Sequence, residues 1–363
     1  NVFVFLEISS LSTYVLIAQG AHRDKRALTA SYNYLIMGTI GATFFVIGVG
    51  FLYMATGTLN MADLADRIEN QYDSRTVRAA FAFIMVGMGL KVAIFPLHLW
   101  LPNAYTYAPS AITSFLAATA TKVAIYVMLR FLFSVFQPGF LAEVPTLDLI
   151  LYPFAILAMF AASYTAILQR DLKRMLAYSS IGQVGYMLLG IALLSESGLM
   201  ATMIHLFNHG ITKAALFMGV GVYVLNGGGS FYHNLRGRGK TMPWTSAAMV
   251  VAGLSLIGVP GTAGFLSKWL LVEATLEQGL WPIALLIVAS SLLAVIYVWK
   301  LIETLYLAQP AEGLQDQNVP LMMMIPLWVM ALACIYFGFD TDITLSAARS
   351  AAEGLLAGSA GMR

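Results

Sequence analysis

The sequence predicts an all-α, polytopic membrane protein, and three observations carry that prediction. Of its 363 residues, 59% are hydrophobic and only 10% are charged, against about 25% charged in soluble domains. Mean hydropathy is +0.78, and apolar runs of about 20 residues, long enough to cross a bilayer as helices, recur from end to end. Inside those runs sit Glu7, Lys91, Lys122, His205, His209, Lys213 and Lys268. An ionisable group at bilayer depth costs at least a few kcal/mol and usually faces a bundle interior or a water-filled path. The pattern therefore points to transport.

Ten spans are expected, at about 2–19, 28–55, 79–99, 111–136, 146–168, 176–194, 199–225, 243–275, 281–308 and 321–339. Basic loops set orientation. Arg23, Lys25 and Arg26, then Arg170, Lys173 and Arg174, then Arg236, Arg238 and Lys240 alternate with loops carrying Glu143, Glu196, Glu273 and Glu277. The basic loops are placed in the cytoplasm and both chain ends outside. The mixed loop with Arg67, Arg75 and Arg78 lies on the outer side, and the acidic pair Glu312 and Asp316 falls inside, against the trend.

Two spans hold prolines where a helix should be continuous: Pro96 with Pro102, and Pro260 within Gly258–Val259–Pro260–Gly261. Proline removes a backbone donor, and the freed carbonyls are tolerated at membrane depth only where protein or water satisfies them. A lysine stands near each interruption, Lys91 before Pro96 and Lys268 after Pro260. Broken spans in two halves are the mark of inverted-repeat transporters. His98 either lines the first break or bonds a freed carbonyl.

His205, His209 and Lys213 are spaced i, i+4, i+8 and share one helical face. Successive members are about 6 Å apart along the axis, a spacing suited to water-assisted proton hopping. The plainer alternative has the histidines bonding neighbouring helices. Burial disfavours the charged form of a lysine, so Lys91 can load and release a proton if a carboxylate modulates it. Glu7 is the natural partner; a fixed structural ion pair is the alternative. Lys122 would extend the path from Lys91 towards Lys213, and Lys268 would serve the exit side. Lys300, Glu303 and Arg130 read as structural or interfacial.

Other classes are disfavoured. A net charge of +2 suggests no nucleic acid, and the single Cys334 offers neither a disulfide framework nor a thiolate metal site. No flavin, haem, iron–sulfur or zinc motif is present, so no cofactor is expected. Gly239–Lys240–Thr241 ends like a phosphate loop, but Asn234 stands where the earlier glycine belongs.

Several segments carry a family resemblance. Phe95–Pro96–Leu97–His98–Leu99–Trp100–Leu101–Pro102 with Ala108–Pro109–Ser110 resembles the broken-helix motif of the antiporter-like membrane subunits. These include the large subunits of Mrp-type cation/proton antiporters and the proton-pumping subunits of respiratory complex I. The run Asp171 to Gln183, the stretch His205 to Lys213 and Gly264 to Lys268 are similar to three further motifs, and Phe5 to Leu11 looks most like the D-type subunit of the Mrp system.

The resemblance implies a fourteen-helix inverted-repeat fold of which this chain is an amino-terminally truncated portion. Residues 1–136 would be the remainder of the first repeat, 137–308 the second, and 309–363 a carboxy-terminal helix and tail. It implies that Glu7 pairs with Lys91, that Lys122 and Lys213 form the central axis, and that Lys268 is the terminal lysine. The expected function is a membrane subunit of a multisubunit Na+/proton antiporter in the bacterial inner membrane, partnered by other membrane subunits. On that reading no bond is made and the chain is not itself an enzyme. The alternative is a proton-pumping subunit of a redox-driven translocase such as a complex I-like oxidoreductase or membrane hydrogenase.

Overall fold

The structure is a computed structural model that describes residues 1–144, 146–227, 229–309 and 319–357; Glu312 and Asp316 lie outside them. The described residues are helical throughout, with one isolated β-bridge between Asp171 and Phe231. In chain order the helices are α1 (Val2–Ala18), α2 (Arg26–Thr56), α3 (Met61–Ile68), α4 (Arg75–Val92), α5 (Trp100–Tyr107) and α6 (Ser110–Leu129). Next come α7 (Gln137–Ala142) and α8, which runs Thr146–Leu157 and continues through a π-type turn into Ser163–Leu168. The rest are α9 (Leu172–Ala192), α10 (Glu196–Leu225), α11 (Pro243–Ile257), α12 (Ala263–Glu277), α13 (Trp281–Ile302), α14 (Leu321–Phe339) and α15 (Asp342–Leu356).

Every expected span has a helical counterpart, and the two proline-bearing spans are broken. The first divides into α4 and α5, the second into α11 and α12. Seven helices of the described residues are long and apolar enough to cross a membrane by that measure alone. The other three expected spans are the two broken ones and α10, which carries Glu196, His205, His209 and Lys213. Hydropathy alone misses α3 and α15, short amphipathic helices outside the expected spans.

Local chemistry sets the ends. The Asn60, Asp171 and Ser195 side chains accept from the first backbone N–H groups of α3, α9 and α10, satisfying donors a helix start leaves open. Gly57 (φ 73°) closes α2 and Gly258 (φ 89°) closes α11, both in the left-handed region that glycine adopts without a Cβ penalty.

Helix α9 is the axis of the bundle: 94% of its apolar window is buried, against 17% for α1 and α14 at the periphery. Around it the apolar core falls into two clusters. One gathers Leu64, Ile84, Phe136, Met187, Leu199 and Leu271, towards the outer side by the charge-based orientation. The other gathers Ile17, Trp100, Leu116, Leu176, Phe217 and Leu256, towards the inner side. Along α9 the second cluster ends at Ile181 and the first begins at Val184; along α10 the first ends at Ala201 and the second begins at Ala215. The gap between clusters is where the ionisable residues fall.

Small residues bring α2 against α4. A Cβ on Gly48 would lie 2.6 Å from Ile84 Cγ1 and 2.8 Å from the Ala80 carbonyl, and one on Gly87 would lie 2.6 Å from the Gly41 carbonyl. With no hydrophobic effect between helices in lipid, such close backbone approach is what holds spans together. Gly48→Val should therefore cost about 1–3 kcal/mol by overpacking, lowering the Tm of the purified protein. Gly50→Val, where a Cβ meets nothing within 4 Å, should not. Equal Tm values for the two variants would refute the packing account.

Candidate functional site

The first break builds an ion pair. Lys91, in the last turn of α4, reaches α1, where its Nζ lies 3.1 Å from Glu7 Oε1 and also donates to Ser10 Oγ. The pair is not sealed: the Glu7 side chain is 27% exposed and that of Lys91 11%. Two residues later the helix stops at Ala93, in left-handed backbone (φ 64°), and the Ile94 N–H turns back to the Gly89 carbonyl. Pro96 follows in the linker, after a cis peptide bond.

The Leu90 carbonyl, freed by this stop, receives the Trp100 indole N–H at 2.9 Å. His98 is buried in the break but makes no such bond. Its ring stacks on Phe95 at 5.1 Å and its Nδ1 has no partner among the described residues. His98 thus lies within the break, while the freed carbonyl is taken by Trp100.

Lys122 lies mid-span in α6, buried, and its Nζ turns back to the Ala117 carbonyl of its own helix. Lys213 on α10 is fully buried and donates to the Leu176 carbonyl of α9 at 2.9 Å and to Ser179 Oγ. The same carbonyl accepts the Ser179 and Ser180 hydroxyls at 2.9 and 3.0 Å. One backbone oxygen thus gathers three donors.

His205 and His209, one turn apart, present nearly parallel rings, with centroids 6.1 Å apart and planes 9° apart. His205 Nδ1 is 2.8 Å from Ser267 Oγ on α12. His205 Nε2, both His209 nitrogens and Asn208 Oδ1 are buried without a hydrogen-bond partner among the described residues. With Gln183, Thr212, Ser255 and Lys268, these residues line a small cavity. Buried polar atoms of this kind are ordinarily satisfied by water.

Lys268 closes the second break. From α12 its Nζ reaches back to the Leu256 and Ile257 carbonyls, at 3.2 and 2.8 Å. These belong to the last turn of α11, whose carbonyls the break around Pro260 leaves without helical partners. The ammonium also stands 4.9 Å from the Tyr186 ring centroid, and that ring lies 5.6 Å from His205. Lys268, Tyr186, His205 and His209 are therefore contiguous.

The sequence-derived residues fall into separate groups. Glu7 and Lys91 touch; His205, His209 and Lys268 share a cavity; Lys122 and Lys213 are held by carbonyls on separate helices. Ser10, Trp100, Ser179, Tyr186 and Ser267 are contacts that sequence reasoning missed. A signal for two of them existed, since Ser179, Gln183 and Tyr186 recur at i, i+4 and i+7 as a polar stripe on the most buried helix. Lys300 donates to the Ile167 and Gln169 carbonyls and stands over Tyr232, fastening the end of α8. That is the structural role its position suggested. Among the described residues no group of three or more His, Cys, Asp or Glu could hold a metal ion.

Comparison with known proteins gives the family and the fold. The transmembrane family described as NADH:quinone oxidoreductase/Mrp antiporter matches residues 1–294. The chain is 40% identical to the N-type subunit of the NADH-quinone oxidoreductase of Desulforudis audaxviator, over 95% of this chain and 71% of that protein. It is 31% identical to the D-type subunit of the Na(+)/H(+) antiporter of Alkalihalophilus pseudofirmus, over 94% and 68%. Its fold superposes on a chain of the Mrp complex from Dietzia sp. DQ12-45-1b with a TM-score of 0.88, at 25% identity, over 98% of this chain and 74% of that one. The chain thus spans about seven-tenths of the length of these relatives. A broken-helix membrane bundle with a lysine at each break, matched over four-fifths of its length, belongs to the NADH:quinone oxidoreductase/Mrp antiporter transmembrane family.

Proposed function

We propose that this chain moves protons along its buried ionisable band as one membrane subunit of a multisubunit cation/proton antiporter. The supporting observation is the set of ionisable groups itself: Glu7 with Lys91 at the first break, Lys122, Lys213 with His205 and His209 where the two apolar clusters meet, and Lys268 at the second break. Protons would be taken up through one half-channel, pass along the lysines and histidines, and leave through the other. The Glu7–Lys91 distance would set how firmly Lys91 holds its proton, since a nearby carboxylate favours the ammonium. The His205–His209 cavity would carry protons through water, with the imidazoles as relays. Pro96, His98 and Pro260 would keep the breaks open to that water. The coupled cation is read as Na+, the partners as other membrane subunits, and the location as the bacterial inner membrane.

A second reading replaces the cation gradient with electron transfer on other subunits. The higher identity to an NADH-quinone oxidoreductase subunit, 40% against 31% for the antiporter subunit, favours it. The band serves either driver, because a proton path does not depend on what powers it. Purifying the native complex and identifying its subunits separates the two. Small cofactor-free membrane partners, with sodium-dependent proton flux in vesicles, support the antiporter. Flavin or iron–sulfur partners, with flux that needs an electron donor, support the redox-driven translocase.

Two substitutions test the path whichever driver operates. Lys91→Ala in the assembled complex should reduce proton flux to the background of vesicles lacking it, with subunit composition unchanged; wild-type flux would remove Lys91 from the path. Lys213→Arg keeps a cation that holds its proton at all accessible pH. It should assemble normally and lose transport. Full activity in that variant would mean that position 213 needs only a fixed positive charge.

A further inference from the structure

A second cavity, of about 740 Å³, opens at the inner ends of α1, α5, α8 and α10, away from the ionisable band. Its wall carries five cations, Arg23, Arg26, Arg170, Lys173 and Arg174, against two carboxylates, Asp24 and Asp171. Both carboxylates are already engaged. Arg26 grips Asp24 at 2.6 Å and holds its carboxyl below the usual range by hydrogen bonding. Asp171 caps α9 through the Arg174 backbone N–H and accepts the Ser230 hydroxyl. Arg170 and Arg174 are in no ion pair among the described residues, and the buried Nε of Arg174 has no hydrogen-bond partner. The lip of the cavity is apolar, with Leu168 59% and Phe231 41% exposed.

We propose that this cavity holds the phosphate headgroup of an anionic phospholipid of the inner leaflet. A surplus of guanidinium groups recognises a phosphate. Basic pockets between spans on the cytoplasmic side are where anionic headgroups lodge. The apolar lip supplies the second half of the argument, because a lipid needs a surface for its chains beside the charges while a free anion does not. The floor of the cavity is the link between α5 and α6. There Lys173 donates to the Ala108 carbonyl at 3.0 Å and Arg26 stands 4.8 Å from the Tyr107 ring centroid. A lipid in this place touches the side chains that hold the inner half of the first broken helix.

The test uses the native complex, delipidated in detergent and offered phosphatidylglycerol, phosphatidylcholine or inorganic phosphate, with bound lipid read by native mass spectrometry. Phosphatidylglycerol should be retained, phosphatidylcholine should not, and inorganic phosphate at matched concentration should leave the bound lipid in place. The Arg170→Gln/Arg174→Gln variant should retain it roughly thirtyfold less well, and Arg170→Gln alone, at an exposed position, about fivefold, from the near-surface worth of each basic side chain. Lysine at both positions should restore retention. Equal retention by the wild type and the single glutamine variant would overturn the proposal. So would equal retention of phosphatidylcholine, or displacement by inorganic phosphate, which would make the cavity a site for a free anion. The readout is binding, so it stands apart from whether the band conducts protons.

Discussion

A buried ammonium must find oxygen, and in this bundle backbone carbonyls provide it. Lys122 takes Ala117, Lys213 takes Leu176, and Lys268 takes Leu256 and Ile257. Only Lys91 has a carboxylate. In a regular helix a main-chain oxygen is already committed to the N–H four residues on. A lysine can then share it at an angle, as Lys213 does with two serine hydroxyls, or take one that a break has released, as Lys268 does. The interruption at Gly258–Gly261 meets that need for Lys268, whereas at the first break the Leu90 carbonyl goes to Trp100. Such breaks cost helix hydrogen bonds, and they leave acceptors at a depth where lipid offers none. A carbonyl solvates a cation without adding the full opposite charge of a carboxylate.

The two apolar clusters give the same constraint its geometry. Each helix through the middle carries bulky apolar side chains near both ends and polar ones between: Lys122 on α6, Gln183 on α9, His205 to Lys213 on α10, Lys268 on α12. The close α2–α4 contact through Gly41, Gly48 and Gly87 fixes where Lys91 stands relative to the rest. The site is therefore a property of packing as well as of residue type.

Much of this was legible in the sequence, for identifiable reasons. Spans are legible because lipid demands long apolar runs, and breaks because proline cannot donate. The His205–His209–Lys213 face follows from helical periodicity alone. Apart from Glu7 with Lys91, hydrogen-bond partners were not legible. Trp100 reaches Leu90 only because the chain doubles back after Ala93, and Ser179 meets Lys213 only because α9 packs on α10. His98 was open to two readings since nothing in its neighbourhood says which way a ring turns in an irregular segment. Helices α3 and α15 escaped because an amphipathic helix averages to unremarkable hydropathy.

The level placement of the band has an electrical consequence. A charge moved across a whole membrane does work of about 2.3 kcal/mol per 100 mV. On the proposed path, a charge passed from Lys122 to Lys213 to Lys268, within the layer between the clusters, would travel roughly parallel to the membrane and do almost none. The membrane voltage would then be felt where a charge crosses the outer or inner apolar cluster. Transfers along such a path would be governed by local affinities, and the two crossings would carry the voltage dependence.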